Sequence, residues 1–262
     1  MPFAHVRGVD LHYETQGSGP ECLVIAHGAL GSIAYSERWG VPAEALAAHG
    51  FRVISYDARG HGRSGFTLRR ADYLPAALAE DLLGLMDALG IDQANVYGTS
   101  MGASTALMLA SAHPQRVAKL VLRIPAPFGS AMAKARARLY PAASIYRWFG
   151  QSIATTLVTA LTRPADRTKM SELLSGQQRR AIEPAIRGFL HEPLNPAILD
   201  TITAPALILT QPDDAMHPLR SGEILRDRLR TSTLLVAPPG TRWEHDIAKL
   251  ALTITSWLKT SV

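Results

Sequence analysis

The run Gly98-Thr99-Ser100-Met101-Gly102 sets a hydroxyl nucleophile between two glycines. An apolar segment at 94–98 leads into it, and a strongly helical run at 103–112 follows. In that strand–turn–helix setting the serine sits on a very sharp turn with strained backbone angles. The glycines remove side chains where the strand and helix backbones approach each other. The hydroxyl then stands at the carboxyl end of a sheet, beside a helix N-terminus whose free N–H groups favour developing negative charge. The chemistry this suits is nucleophilic attack on a carbonyl. Serine is a poor nucleophile alone, so it needs a base to take its proton and an acid to orient the base.

Such a serine has to be positioned by buried strands. Short apolar runs at 22–26, 51–56, 94–98, 117–124, 206–210 and 233–237 read as strands covered on both faces. Residues 3–7 and 9–14, joined at Gly8, read as a hairpin. Segments 36–49, 75–89, 100–113, 219–229 and 246–258 carry apolar residues at helical spacing. Strand–helix alternation of this kind predicts an α/β fold, an open, mostly parallel sheet with helices on both faces. From 127 to 200 the alternation stops and only helical segments remain, so residues 1–126 and 201–262 are expected to form the core and 127–200 a helical insertion.

The chain resembles the α/β-hydrolase family over nearly its whole length. Besides the serine turn, His27-Gly28-Ala29 follows the third strand, where that family has a His-Gly oxyanion loop. Asp57-Ala58-Arg59-Gly60-His61-Gly62-Arg63-Ser64 follows the fourth and is similar to the family's D-x-R-G-x-G-x-S turn. The resemblance implies an α/β-hydrolase fold, with the backbone N–H groups of Ala29 and Met101 forming an oxyanion hole. Donors fixed in that way are worth about 3 kcal/mol of barrier each. His27, Asp57 and His61 read as loop- and turn-forming residues rather than catalysts.

In this fold the acid follows the serine along the chain and the histidine comes last. Asp213 and Asp214 both follow the 206–210 strand, and Asp214, four residues before Pro218, matches the family spacing. The family usually has Gly-His soon after the last strand, but here Thr241 follows Gly240. His245 is the one histidine in that region and is the expected base, with Asp246 opening the final helix. His217, beside the acid turn, is the reserve candidate, and a chain without a triad histidine is the third possibility. His5, His12, His49, His113 and His191 are expected at surface or helix-end positions and show no metal-ligand spacing. The chemistry needs no metal or other cofactor, and none is expected.

The resemblance also implies that the 127–200 insertion caps the site and shapes the substrate pocket. Phe128, Met132, Leu139, Tyr140, Tyr146, Trp148 and Phe149 are its apolar members, some facing the pocket and most packing the cap onto the core. Arg123, near the carboxyl end of its strand, is expected to pair with a carboxylate of the protein or to anchor an acidic group of a substrate.

The chain has 262 residues, ample for a sizeable core. Its single cysteine, Cys22, excludes a disulfide framework and a multi-cysteine metal site. No signal peptide is read at the N-terminus, and no apolar run approaches the roughly 18 residues that span a bilayer. A cytoplasmic protein is expected, with no membrane or nucleic-acid partner. The net charge of +5 belongs to the insertion, because residues 129–192 hold ten basic and four acidic side chains. A solvated helical face explains that excess, with guidance of an anionic substrate as the alternative. The expected activity is hydrolysis of a small or medium carboxylic ester or lactone through an acyl-enzyme. C–C bond hydrolysis and a non-hydrolytic member with an incomplete triad, either a cyclase or lyase or a small-molecule binder, are the alternatives.

Overall fold

The computed structural model describes residues 2–126, 128, 130–160, 167–175, 178–192, 194–214 and 216–260. Eight strands form one sheet: β1 (Phe3–Val6), β2 (Val9–Gln16), β3 (Glu21–Ala26), β4 (Phe51–Tyr56), β5 (Ala94–Thr99), β6 (Val117–Arg123), β7 (Ala206–Thr210) and β8 (Ser232–Val236). Their order is β1-β2-β4-β3-β5-β6-β7-β8. β1 and β2 pair antiparallel, as do β2 and β4, and every later pair is parallel. The β1–β2 hairpin turns on Arg7 and Gly8, both at positive φ. A two-residue turn of that kind matches the twist of the flanking strands.

The central strands are mostly apolar because helices cover both faces. On one face lie α3 (Pro75–Ala88), α4 (Met101–Ala112) and α8 (Leu219–Arg228); on the other lie α2 (Ala43–Ala47) and α9 (Ile247–Leu258). The single helix expected over 36–49 is two, α1 (Ile33–Trp39) and α2, because Gly40 ends the first and Pro42 caps the second at φ −59°. Proline there supplies no N–H to continue a helical ladder. The last helix starts at Ile247, with Asp246 Oδ1 accepting from the Lys249 N–H.

Between β6 and β7 the chain forms α5 (Ser130–Ala160), α6 (Arg167–Ser175) and α7 (Ile182–Phe189), and no strand occurs there among the described residues. Pro127, where the insertion was expected to begin, lies outside the described residues, as do Arg163 and Asp166 and the side chain of Phe149. Met132, Tyr146, Leu174 and Phe189 of this segment are buried, whereas Trp148 is exposed. Trp39 donates from Nε1 to Glu172 at 2.7 Å, tying α1 to α6. Among the described residues, no helix is long and apolar enough to cross a membrane.

Two loops at the carboxyl edge are braced by buried polar groups. Asp57 accepts from the Ile33 and Arg63 N–H groups, joining the turn after β4 to the loop after β3. His27 Nδ1 is 2.8 Å from the Gly28 carbonyl, and its Nε2 accepts from the Ala58 N–H. His12 departs from its expected surface position. It is buried against Asp57, at 3.0 Å, because β2 lies inside the sheet between β1 and β4.

The His27 and His61 rings lie 5.1 Å apart in this region, tilted at 57° to each other. Burial lowers His27, outweighing the nearby Asp57 charge and the Gly28 carbonyl. Burial, with His27 adding to it, lowers His61 to about 3 against the pull of the Arg59 carbonyl and Asp57. Both rings therefore resist protonation in the native state, His61 down to about pH 3. As pH falls through about 6.5, the unfolded chain binds protons that the native chain does not. For His61 the stabilisation is complete above that pH and is lost towards pH 3, at about 1.4 kcal/mol per pH unit; His27 acts in the same direction. Urea midpoints measured from pH 7 to 5 are expected to fall steadily, and less steeply in His61→Gln. A flat profile over that range would contradict the neutral-ring assignment.

Candidate active site

Ser100 is the N-cap of α4 and has φ +52° and ψ −106°, a strained conformation for a residue with a side chain. The two flanking glycines are sterically required. A Cβ on Gly98 would lie 2.3 Å from the Gly102 carbonyl oxygen, and one on Gly102 would lie 2.0 Å from that of Ala26. The Ser100 N–H donates to the Arg123 carbonyl on the neighbouring strand at 3.1 Å. Met101 opens α4, so its N–H has no acceptor within the helix. Ala29 lines the cavity in front of the serine, next to Gly28.

The side chain brought to Ser100 is His217. Its Nε2 is 2.9 Å from Ser100 Oγ, and its Nδ1 is 3.2 Å from Asp214 Oδ2. Asp214 and His217 belong to the same loop, between β7 and α8. One carboxylate oxygen, Oδ1, accepts the Met216 and His217 N–H groups at 2.9 Å each and so folds the loop back on itself. The other, Oδ2, faces the imidazole and also accepts from Gln211 Nε2 at 3.0 Å. Burial by itself would raise the Asp214 carboxyl. The hydrogen bond and charge of His217, its backbone N–H and the Gln211 amide outweigh burial and hold the group well below the usual carboxylate range. Asp213, the other acidic candidate, is exposed and takes φ +59°, which turns the chain into the loop.

His245 is not at the site, which corrects the expectation that it faces Ser100. It is exposed, and its Nδ1 accepts from the Arg242 N–H at 3.3 Å, within the short 3-10 turn Trp243–His245. The turn is oriented by its other two members. Trp243 Nε1 donates to the Thr210 carbonyl at 2.6 Å, and Glu244 receives Arg123 at 2.6 Å. With Glu244 turned inward, His245 points outward. The signal for His217 was its spacing, because three residues after an aspartate in a tight loop a ring can fold back onto the carboxylate. Arg123, 5% exposed, thus has a protein carboxylate as its partner.

Ser100 and His217 open into a cavity of about 490 Å³. Its far wall is apolar and comes from the helical insertion, through Leu139, Ala143 and Tyr146 of α5, Leu174 of α6, and Ile186 and Phe189 of α7. Among the described residues, no cluster of three or more His, Cys, Asp or Glu side chains could hold a metal ion. An imidazole hydrogen-bonded to a serine and held by a carboxylate can take the hydroxyl proton and hand it on during acyl transfer.

A family model described as alpha/beta hydrolase fold matches residues 21–252. A protein of Caulobacter sp. (strain K31), named provisionally as the carbamate hydrolase RutD, is 30% identical over 245 residues, covering 88% of each chain. A 2-hydroxy-6-oxononadienedioate/2-hydroxy-6-oxononatrienedioate hydrolase of Paraburkholderia xenovorans (strain LB400) is 39% identical over 115 residues, 44% of this chain and 39% of its own. Among solved structures, the enol-lactonase from Burkholderia xenovorans LB400 superposes with a TM-score of 0.82 at 22% identity, covering 99% of this chain and 100% of that one.

Proposed function

This chain belongs to the α/β-hydrolase fold family, and from that premise we propose that it is a serine hydrolase acting on a small or medium carboxylic ester or lactone. The observation that carries the reading is the bridge from Asp214 through His217 to Ser100. Ser100 Oγ attacks the substrate carbonyl as His217 Nε2 takes the hydroxyl proton. Asp214 holds the ring and stabilises the imidazolium. The N–H groups of Ala29 and Met101 donate to the oxyanion, each worth about 3 kcal/mol of barrier. Collapse of the tetrahedral intermediate expels the alcohol, which receives the proton from His217. Water then attacks the acyl-enzyme with His217 again as base, releasing the acid and restoring Ser100.

The helical insertion acts as a cap, since its side chains form the apolar wall of the cavity. Water exclusion beneath it strengthens the electrostatic contribution of the oxyanion donors. The names borne by relatives, among them carbamate and C–C bond hydrolases and an enol-lactonase, support hydrolysis and leave the bond cleaved to be measured.

A fluorophosphonate probe tests the nucleophile directly. Wild type is expected to label at Ser100 with one probe per chain, and Ser100→Ala is expected not to label. A folded wild type that stays unlabelled would overturn the hydrolase reading and favour a non-hydrolytic member of the family.

A further inference from the structure

Among the described residues, one side chain ties Asp214 to the edge of the sheet. The Asp214 carboxylate meets four donors, one for each lone-pair position of an ionised carboxyl group. Three come from the 214–217 segment itself: the Met216 and His217 N–H groups on Oδ1, and His217 Nδ1 on Oδ2. The fourth is Gln211 Nε2, 3.0 Å from Oδ2, the same oxygen that faces the imidazole. An ionised carboxylate only accepts, so Nδ1 carries the imidazole proton and the Gln211 amide turns its nitrogen to Asp214.

Gln211 directly follows β7, where the backbone is fixed. The Thr210 carbonyl, in the peptide unit that joins the two residues, accepts from the Ala237 N–H at 2.9 Å and from Trp243 Nε1 at 2.6 Å. The neighbouring strand is locked to the same frame. The Ile124 N–H donates to the Leu209 carbonyl at 2.7 Å, and the Ser100 N–H donates to the Arg123 carbonyl. Gln211 therefore reaches Asp214 from the frame that also carries the nucleophile. Between Gln211 and Asp214 the chain turns at Asp213, with φ +59°, so the strand direction does not by itself aim the carboxylate. Gln211 is 2% exposed, and its Oε1 is buried with no hydrogen-bond partner. An apolar side chain of the same size would avoid that penalty. What the amide supplies in exchange is the bond to Asp214.

We propose that Gln211 is a positioning residue for hydrolysis: its amide fixes Asp214 Oδ2 against the sheet and so holds the His217 ring at the Ser100 hydroxyl. This role rests on Ser100, His217 and Asp214 acting as the serine hydrolase proposed for this chain.

A double-mutant cycle on a nitrophenyl ester tests it. Gln211→Met, which keeps the volume and removes the donor, is expected to lower kcat about tenfold and to leave KM within about twofold. In an Asp214→Asn background the same change is expected to cost less than about twofold, because the charged acceptor through which Gln211 acts is gone. A side chain that only packed would give the same factor in both backgrounds, and that result overturns the proposal. So does a loss under about twofold in the wild-type background, or one confined to KM. Gln211→Ala replaces Gln211→Met if the latter fails to fold. Nuclear magnetic resonance reads the link without catalysis. The low-field Nδ1 proton signal of His217 is expected in wild type, and shifted or lost to exchange in Gln211→Met. An identical signal in both proteins, or none in either, contradicts the role. Failure of the hydrolase reading shows separately, as absent fluorophosphonate labelling of wild type, and the proton signal then decides the part played by Gln211.

Discussion

His217→Ala is expected to lower kcat/KM on a nitrophenyl ester by about 10⁴-fold or more, whereas His245→Ala changes it by less than about threefold. The contrast follows from two distances. His217 Nε2 sits 2.9 Å from the Ser100 hydroxyl, while the His245 ring nitrogen is engaged with a backbone N–H of its own short turn. Without His217 no described side chain within hydrogen-bond distance can take the serine proton, and the residual rate is that of oxyanion donors and binding alone. Asp214→Asn is the companion measurement. It preserves an acceptor on the loop but removes the charge facing the ring, so a drop smaller than that of His217→Ala but still more than about tenfold is expected. Equal losses for the two histidine variants, or a larger one for His245→Ala, would show that the loop after β8 supplies the base.

The largest expected effect on stability lies away from the nucleophile, at Asp81→Ala. Asp81 is 1% exposed on α3 and receives Arg59 through two bonds of 2.7 Å each, with Arg7 adding a third at 2.8 Å. Arg59 is itself 2% exposed, in the turn after β4. Removing the carboxylate leaves a guanidinium buried without its counter-charge, a loss of about 3–5 kcal/mol. Urea unfolding measures it directly. Replacing both members, Asp81→Met with Arg59→Met, should recover much of the loss, because the uncompensated charge is then gone. If Asp81→Ala cost under about 1 kcal/mol, the pair would be behaving as a solvated surface contact. The same turn carries Asp57, which braces the loop bearing Ala29, so such a loss of stability is expected to disturb the oxyanion side of the site first.

The features legible from the residues alone are those encoded over short spans. Apolar runs bounded by turns marked the central strands. The glycines at 98 and 102 marked the sharp turn at Ser100, because no other residue allows backbones to approach to the distances found there. Gly40 and Pro42 could have marked the break between α1 and α2 in the same way. Asp214 was legible as a loop carboxylate following a buried strand.

Which histidine meets Ser100 was decided only in three dimensions. His217 lies seven residues past the end of β7 and His245 nine past the end of β8, at the same edge of the sheet, so spacing along the chain does not separate them. The choice is made by contacts between residues far apart in sequence. Trp243 bonds to the Thr210 carbonyl and Glu244 to Arg123, and together they turn His245 towards solvent. Asp214 folds its own loop through two backbone N–H groups and points His217 inward. The pocket lining has the same origin, because Tyr97 on β5, Arg123 on β6 and Gln211 just after β7 are far apart in sequence and all line the cavity. The sequence by itself therefore determined the fold class and the sharp turn that carries Ser100, because local sterics and periodicity specify both. The tertiary structure decided which histidine faces Ser100 and what lines the pocket, because burial of one side chain in place of another depends on which loops pack together.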